Sequence, residues 1–344
     1  KRRTRATAAE EKGLGPLAEN FMSDESMDIF NAMVDAFEGL EKEEILAGVS
    51  DIVAESISND PAVRRLLKSY LWRRGEIVTE SGKEADAAYA MYDDFTAPLK
   101  EVKNHNILAM NRGEGEGAVK VKIQCNEDAL ISMIIQIRRP AEDKLDAFSP
   151  MAEDAFKRLL FPSLEREIRR DLKERAEADA IEVFAHNLKP LLLMPPLGHY
   201  VVLGLDPGYR TGCKVAVVDE NGKFLDNAVI YPAPPVQKVE EAKRIIASLV
   251  KKYHVKFIAI GSGTASYETE QFVSGLIEEK NLDVAYAVVS EDGASVYSAS
   301  ELGIEEFPDL DVTVRGAISI ARRLQDPLAE LVKIEPRHIG VGQY

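Results

Sequence analysis

The segment at residues 201–219 constrains the fold more than any other part of the chain. Two apolar runs rich in β-branched residues flank a turn that holds Pro207 and two glycines. Runs of this kind, bounded by proline and glycine, are typical of buried strands. Asp206 therefore stands at the end of a buried strand, where a carboxylate needs a cation, a hydrogen-bond donor or water. A structural alternative is that Asp206 accepts hydrogen bonds from its own turn.

The residues that follow predict the rest of a sheet. Asn221-Gly222 indicates a two-residue hairpin, so three consecutive strands precede the first helix. The apolar spacing predicts that helix over 236–253, and strands at 256–260 and 284–289 alternate with further helices. A meander followed by βαβ crossovers predicts a mixed five-stranded sheet with helices on its faces. This is the plan of the ribonuclease H-like fold.

The earlier part of the chain has a mainly helical pattern. Apolar residues recur at helical spacing over 40–59, and Asp60-Pro61 begins a second helix, which predicts a helix-turn-helix-like bundle. Alternating apolar and polar residues predict a small strand element near 118–124. We therefore predict two domains, an α-helical region over 1–197 and an α/β domain over 198–344.

Some segments of the helical region are less regular. Residues 104–111 fit a helix or a strand, and the glycine-rich run at 112–117 predicts a turn. Residues 85–95 predict a helix, and residues 152–184 predict a long charged helix that breaks near Pro162.

Charge and cysteine content limit the function classes. The 344 residues carry 43 Lys and Arg against 58 Asp and Glu, a formal charge of −15, so a broadly basic nucleic-acid-binding surface is excluded. Two cysteines form no disulfide framework and indicate a reducing, cytoplasmic location. No run of 18 apolar residues occurs, so we expect no membrane span. The chain opens on Lys1, and we expect a fragment of a longer protein.

Several long motifs together resemble the bacterial Tex family of transcription accessory proteins. They are Asn111-Arg-Gly-Glu, Gly204-Leu-Asp-Pro-Gly-Tyr-Arg-Thr-Gly-Cys-Lys214, Gly263-Thr-Ala-Ser266, Ser290-Glu291, Gly293-Ala-Ser-Val-Tyr-Ser-Ala-Ser-Glu301 and Val314-Arg-Gly-Ala-Ile-Ser-Ile-Ala-Arg-Arg-Leu-Gln-Asp-Pro-Leu-Ala-Glu-Leu331. The resemblance covers nearly the whole chain. It implies that residues from about 198 form a YqgF domain, akin to the RuvC resolvase. It also implies RNA or DNA as partner, bound mainly through domains absent here, and contact with the transcription machinery.

The resemblance to ribonuclease H-like enzymes implies a carboxylate site. Such enzymes hold two divalent ions about 3.5–4 Å apart with acids on the first strand, a later strand end and the last helix. Asp206, Glu291 and Asp326 stand at the matching places, and Mg²⁺ or Mn²⁺ would suit these oxygen ligands. The structural alternatives are that Glu291 and Asp326 cap helix ends.

Four basic residues stand near these acids in the sequence. Arg210, Lys214, Arg322 and Arg323 are candidates to contact nucleic-acid phosphates. The same cations could instead neutralise the acids and replace a metal.

These residues leave three functions open. The leading hypothesis is a nucleic-acid-binding scaffold with a degenerate site. The first alternative is a divalent-metal-dependent nuclease acting on RNA or branched DNA. The second is an actin-like ATPase or kinase-type phosphate binder, whose Asp-x-Gly turn the segment after Asp206 resembles loosely.

Overall fold

The structure is a computed structural model that describes residues 3–84 and 86–340. The chain divides into two compact units between Ala180 and Ile181. This division falls inside a helix that runs over Phe161–Leu192, whereas the predicted boundary at 197/198 follows the end of that helix. Residues 341–344 of the predicted second domain lie outside the described residues.

The first unit is mainly helical and holds a small sheet. Its elements are α1 (Arg5–Glu11), α2 (Gly15–Met22), α3 (Met27–Asp35), α4 (Lys42–Asn59), α5 (Pro61–Arg74), β1 (Glu76–Ser81), β2 (Thr96–Pro98), α6 (Asn104–Gly115), β3 (Val119–Gln124), α7 (Glu127–Arg138), α8 (Leu145–Asp154) and the start of α9 (Phe161–Leu192). Short 3₁₀ turns cover Ala87–Tyr92 and Glu142–Lys144.

Local chemistry explains the junction of α4 and α5. The Asp60 side chain accepts hydrogen bonds from the backbone N–H groups of Ala62 and Val63, which caps α5. Pro61 occupies the first helical position, where a missing N–H costs nothing. The two helices therefore follow the predicted helix–turn–helix order.

The sheet of the first unit differs from the single predicted strand. β3 lies where the alternation predicts a strand, but it pairs antiparallel with β1, which also pairs with β2. The predicted helix at 85–95 is a 3₁₀ turn over Ala87–Tyr92, and Ala85 lies outside the described residues.

Two helices run through residues that predict turns or breaks. The predicted turn at 112–117 is wrong in its first half, because α6 continues to Gly115 and Gly113 packs closely on the Tyr89 ring. The chain also stays helical through Pro162. A π-helical turn over Ala155–Leu160 precedes this proline, and its wider backbone leaves room for the ring.

The second unit is the predicted α/β domain. After the end of α9 it comprises β4 (Val202–Asp206), β5 (Cys213–Val218), β6 (Phe224–Ile230), α10 (Val239–Tyr253), β7 (Phe257–Gly261), α11 (Ser266–Lys280), β8 (Ala285–Val289), α12 (Ala294–Ala299), α13 (Glu301–Glu306), α14 (Val312–Gln325) and α15 (Pro327–Leu331). The strand order is β6-β5-β4-β7-β8, with β6, β5 and β4 antiparallel and β4, β7 and β8 parallel. This mixed five-stranded sheet confirms the predicted ribonuclease H-like fold.

Helices cover both faces of this sheet. Apolar side chains of α10 and α11 pack on one face, and those of α14 pack on the other. α14 approaches β4 closely because Gly204 has no side chain; a Cβ there would overlap the backbone oxygen of Ala317. This close packing fixes which turn of α14 lies over the end of β4. Within the residues that the structure describes, every helix is too short or too polar to cross a membrane.

Candidate functional site

Two of the predicted acids line one pocket at the carboxyl end of β4. Asp206 is the last residue of β4, and Glu291 follows β8. Their pocket has a volume of about 270 Å³. The remaining lining residues are Ala294, Ser295, Ser298, Val312, Thr313, Gly316 and Ile320.

The Glu291 side chain packs against two glycines, Gly261 at the end of β7 and Gly263 in the loop that follows. A Cβ at Gly263 would overlap the Glu291 carboxylate, and one at Gly261 would lie 2.5 Å from its Oε2 atom. The Glu291 backbone N–H donates to Ser262 Oγ at 3.4 Å. Glu291 Oε2 is buried and has no hydrogen-bond partner among the described residues. The site therefore contains a carboxylate oxygen that lacks a donor or cation.

Electrostatics at Asp206 favour the neutral acid. Burial, and then the charge of Glu291, raise the pKa of Asp206 from 3.8 to about 6, while Lys214 opposes the shift. Lys214 lies opposite Asp206 in the β4–β5 register. Its ammonium donates to the carbonyls of Thr211 at 2.5 Å and Gly212 at 3.0 Å, so it holds the turn after β4.

The structure does not bring Asp326 to this pocket, so the predicted trio is corrected to a pair. Asp326 lines a second pocket together with Arg322 and Gln325. Its side chain accepts a hydrogen bond from the Ala329 N–H at 3.1 Å and caps α15. The physical reason is the length of α14: Gly316 faces Asp206, and Asp326 follows ten residues later, about 15 Å along the helix axis.

A glycine, Gly316, stands where α14 faces Asp206. A Cβ at Gly316 would lie 3.0 Å from Asp206 Oδ2, so this residue marks the point of closest approach. Sequence reasoning missed Gly316, Gly261 and Gly263. An isolated glycine inside a helical pattern was the available signal for Gly316. For the other two it was the glycine and hydroxyl loop at 261–266.

The donor set fits one divalent ion better than two. Among residues 3–84 and 86–340, no three Asp, Glu, His or Cys side chains form a group that could hold a metal. Asp206 and Glu291 offer two carboxylates, and the free Oε2 of Glu291 suits a cation. Mg²⁺ usually keeps several waters, so one or two carboxylates can hold it. A second ion would need further oxygen ligands, which Gly316 does not supply.

Arg323 holds the loop that carries Glu291. It is buried, with 3% of its surface exposed. Its Nη1 donates to the Ser290 carbonyl and its Nη2 to the Asp292 carbonyl, both at 2.7 Å. Burial lowers the pKa of Arg323, and Glu330, Asp292 and Glu291 oppose that shift. Arg323 therefore faces the protein interior.

The other predicted cations have different environments. Arg322 Nε donates to the Gly222 carbonyl at 2.7 Å, its Nη1 lies 3.0 Å from a Glu306 oxygen, and its guanidinium stacks on the Phe307 ring at 4.8 Å. Arg210, in contrast, is exposed on the turn after β4. Of the four predicted cations, only Arg210 is open to solvent.

Comparison with known proteins agrees with this topology. Residues 200–325 match the family model described as Tex protein YqgF-like domain, and residues 23–184 match the one described as Tex central region-like. The chain belongs to the Tex family.

Relatives of the Tex family align over the whole chain. An uncharacterized protein of Bacillus subtilis, YdcI, is 45% identical over 355 residues, covering 100% of this chain and 49% of YdcI. The transcriptional accessory protein Tex of Neisseria gonorrhoeae is 42% identical, covering 100% of this chain and 47% of that protein. The human S1 RNA-binding domain-containing protein 1 is 36% identical, covering 88% and 32%. The chain thus spans about half the length of these bacterial relatives, and a third of the human one.

Proposed function

We propose that this chain is the central part of a nucleic-acid-binding transcription accessory factor, in which the ribonuclease H-like unit acts as a scaffold. The observation that carries the scaffold role is Gly316. Helix α14 presents this glycine to Asp206, so the pocket holds two carboxylates and lacks a third acid from that helix. A site with too few oxygen ligands for two ions cannot clamp both the attacking and the leaving oxygen of a phosphodiester.

The partners of the predicted cations also support a scaffold. Lys214 and Arg323 donate to backbone carbonyls, and Arg322 to a carbonyl and to Glu306. Because these three cations bind protein groups, they stabilise the fold. Of the four predicted cations, Arg210 is the one available to contact phosphate. The net charge of −15 further supports weak binding by this chain. The name of the human relative cites an S1 RNA-binding domain, so we place most RNA or DNA contacts in regions beyond this chain.

The test is a paired cleavage and binding assay on the 344-residue chain. Labelled single-stranded RNA and a branched DNA are incubated with Mg²⁺, with Mn²⁺ or with EDTA, beside the Asp206→Asn variant. We expect no metal-dependent cleavage by either protein and the same weak binding by both. Cleavage by the parent in Mn²⁺ that disappears in Asp206→Asn would overturn the scaffold role.

One observation favours a second candidate, a nuclease that uses a single ion. Glu291 Oε2 is buried without a partner and lies in the same pocket as Asp206. Together the two carboxylates would hold one Mg²⁺ or Mn²⁺, which would activate a water for attack on a phosphodiester. In the same assay, a nuclease of this kind loses cleavage on either Asp206→Asn or Glu291→Gln while nucleic-acid binding stays unchanged.

A further inference from the structure

Helix α5 has a charge composition opposite to that of the chain. The chain as a whole carries fifteen more acids than bases, yet residues 61–74 contain no acid. The five bases of α5 are Arg64, Arg65, Lys68, Arg73 and Arg74. Clusters of Lys and Arg on one element are the usual electrostatic signature of a surface that binds polyanions.

The inner cations of α5 are neutralised within the first unit. Lys68 Nζ lies 2.6 Å from a Glu167 oxygen and 2.7 Å from an Asp171 oxygen, both on α9. Arg64 Nη2 donates to Ser163 Oγ at 3.0 Å and lies 3.5 Å from a Glu167 oxygen. These two half-buried bases attach α5 to α9.

The outer face of α5 consists of Arg65, Ser69 and Arg73, all of them exposed. Their spacing of four residues places them along one side of the helix. Arg73 Nε donates to the Ser69 carbonyl at 3.2 Å. Within the described part of the chain, neither arginine forms an ion pair with a carboxylate. The acid nearest to Arg65 in sequence, Asp60, pairs with Arg138 at 2.9 Å.

Two exposed lysines elsewhere in this unit have acid partners. Lys12 lies 3.1 Å from Glu44, and Lys42 lies 2.8 Å from Asp35. The helix dipole favours a cation in the last turn, which accounts for Arg73 and not for Arg65. The chain is acidic, yet Arg65 and Arg73 have no carboxylate partner among the described residues. Their charges can therefore attract an external anion.

We propose that the outer face of α5 binds the phosphate backbone of a nucleic acid. Arg65 and Arg73 are eight residues apart, which is about 12 Å along the axis. This separation is comparable to the width of the B-DNA major groove, about 12 Å, so the two guanidinium groups can reach phosphates on both sides of the groove. The Ser69 hydroxyl between them is a further donor to phosphate oxygen. The inference rests on the proposed association with nucleic acid and adds a contact surface within this chain.

The experiment compares four forms of the 344-residue chain: the parent, Arg65→Ala/Arg73→Ala, Arg65→Lys/Arg73→Lys, and Lys12→Ala/Lys42→Ala. The last variant also removes two positive charges, but from exposed lysines that pair with acids. Binding to a DNA duplex of about 20 base pairs and to a single-stranded RNA of about 20 nucleotides is measured by fluorescence anisotropy between about 50 and 200 mM salt. The two probes separate the two sources of the same phosphate chemistry.

We expect weak, salt-dependent binding by the parent. Arg65→Ala/Arg73→Ala should bind about tenfold more weakly at the lowest salt. The slope of log K against log salt should fall by about 1.8 on the duplex or about 1.4 on the single strand, since two phosphate contacts are lost. Arg65→Lys/Arg73→Lys should keep most of the binding because it keeps the charge.

Two results would overturn the proposal. If the two alanine variants lose the same affinity, the effect comes from net charge and not from the outer face of α5. If the parent binds neither probe at the lowest salt, this face is not a contact surface, whereas the scaffold function, tested by the cleavage assay, stands. Far-ultraviolet circular dichroism of each variant confirms that these exposed substitutions leave the fold intact.

Discussion

Asp206 and Lys214 lie directly opposite each other on β4 and β5, but the Lys214 ammonium donates to the carbonyls of Thr211 and Gly212. Lys214 acts to lower the pKa of Asp206. Burial and the charge of Glu291 outweigh it, and the pKa is raised to about 6. The carboxylate at the end of β4 is therefore under electrostatic strain at neutral pH. The stability of a variant at Asp206 therefore reports on the electrostatics of the pocket.

Replacing Asp206 with Asn should stabilise the protein at high pH. The folded pKa of about 6 lies above the ordinary 3.8, so the folded state binds more protons between about pH 4 and pH 6. The parent therefore loses stability as the pH rises through that window. Asn carries no charge to desolvate, and we expect a gain of about 2 kcal/mol at pH 8 that shrinks toward pH 4. Urea denaturation at the two pH values measures it.

Asp326→Asn is the matched control for this substitution. Asp326 caps α15 through the Ala329 N–H, and asparagine caps a helix about as well. Its effect should stay within about 0.5 kcal/mol at pH 8. A loss of stability in Asp206→Asn at pH 8 would contradict the strain at Asp206.

Gly204→Ala should unfold or strongly destabilise the second unit. The added Cβ would overlap the Ala317 backbone oxygen, which belongs to α14 and cannot move without shifting the helix. We expect a loss of more than about 3 kcal/mol in the free energy of unfolding. Gly275→Ala is the control, because a Cβ there meets nothing within 4 Å on the exposed side of α11. It should stabilise by about 0.5–1 kcal/mol, and equal losses in the two variants would refute the close packing of α14 on β4.

Arg323→Ala should loosen the loop that holds Glu291. The substitution leaves the partly buried carbonyls of Ser290 and Asp292 without their donors, at a cost of about 3 kcal/mol. Amide hydrogen exchange over residues 290–293 should rise with the loss of stability. Arg337→Ala removes an exposed arginine that pairs with Glu335 and should change stability by less than about 0.5 kcal/mol. Similar exchange in both variants would show that Arg323 does not hold this loop.

Gly316→Asp should create the acid that the pocket lacks. Its Cβ would lie 3.0 Å from Asp206 Oδ2, which places a third carboxylate beside Asp206 and Glu291. We expect Mn²⁺ to bind at least about tenfold more tightly than to the parent, because the added ligand is anionic. Without metal, the three acids should repel and lower stability.

Gly316→Asn has nearly the same volume as Gly316→Asp and lacks the charge. It should therefore gain no Mn²⁺ affinity in isothermal titration calorimetry. Equal affinities in the two variants would mean that the Gly316 position does not limit metal binding.

Local sequence pattern was sufficient for most of the second unit. β4 spans Val202–Asp206 within the predicted strand at 201–206, and α10 spans Val239–Tyr253 within the predicted helix at 236–253. The apolar residues of these elements recur at the spacing of a strand or of a helix. Each element can therefore be predicted from its own segment of sequence. β1 was missed because the apolar Val78 on its outer face and the polar Thr79 on its inner face obscure the alternation, and it becomes a strand by pairing with β3.

The residues at the ends of the buried strands are predictable from the local pattern of apolar residues. Asp206 ends β4 and Glu291 follows β8, and the parallel alignment of β4, β7 and β8 brings strand ends to one edge. The positions of Asp326, which caps α15, and of Arg323, which is buried, depend instead on how α14 packs on the sheet. The position of α14 on the sheet depends on its close contact with Gly204, which joins residues more than a hundred positions apart. A local pattern predicts which face of a helix is buried. Packing between residues distant in sequence sets which turn of the helix lies over a strand end.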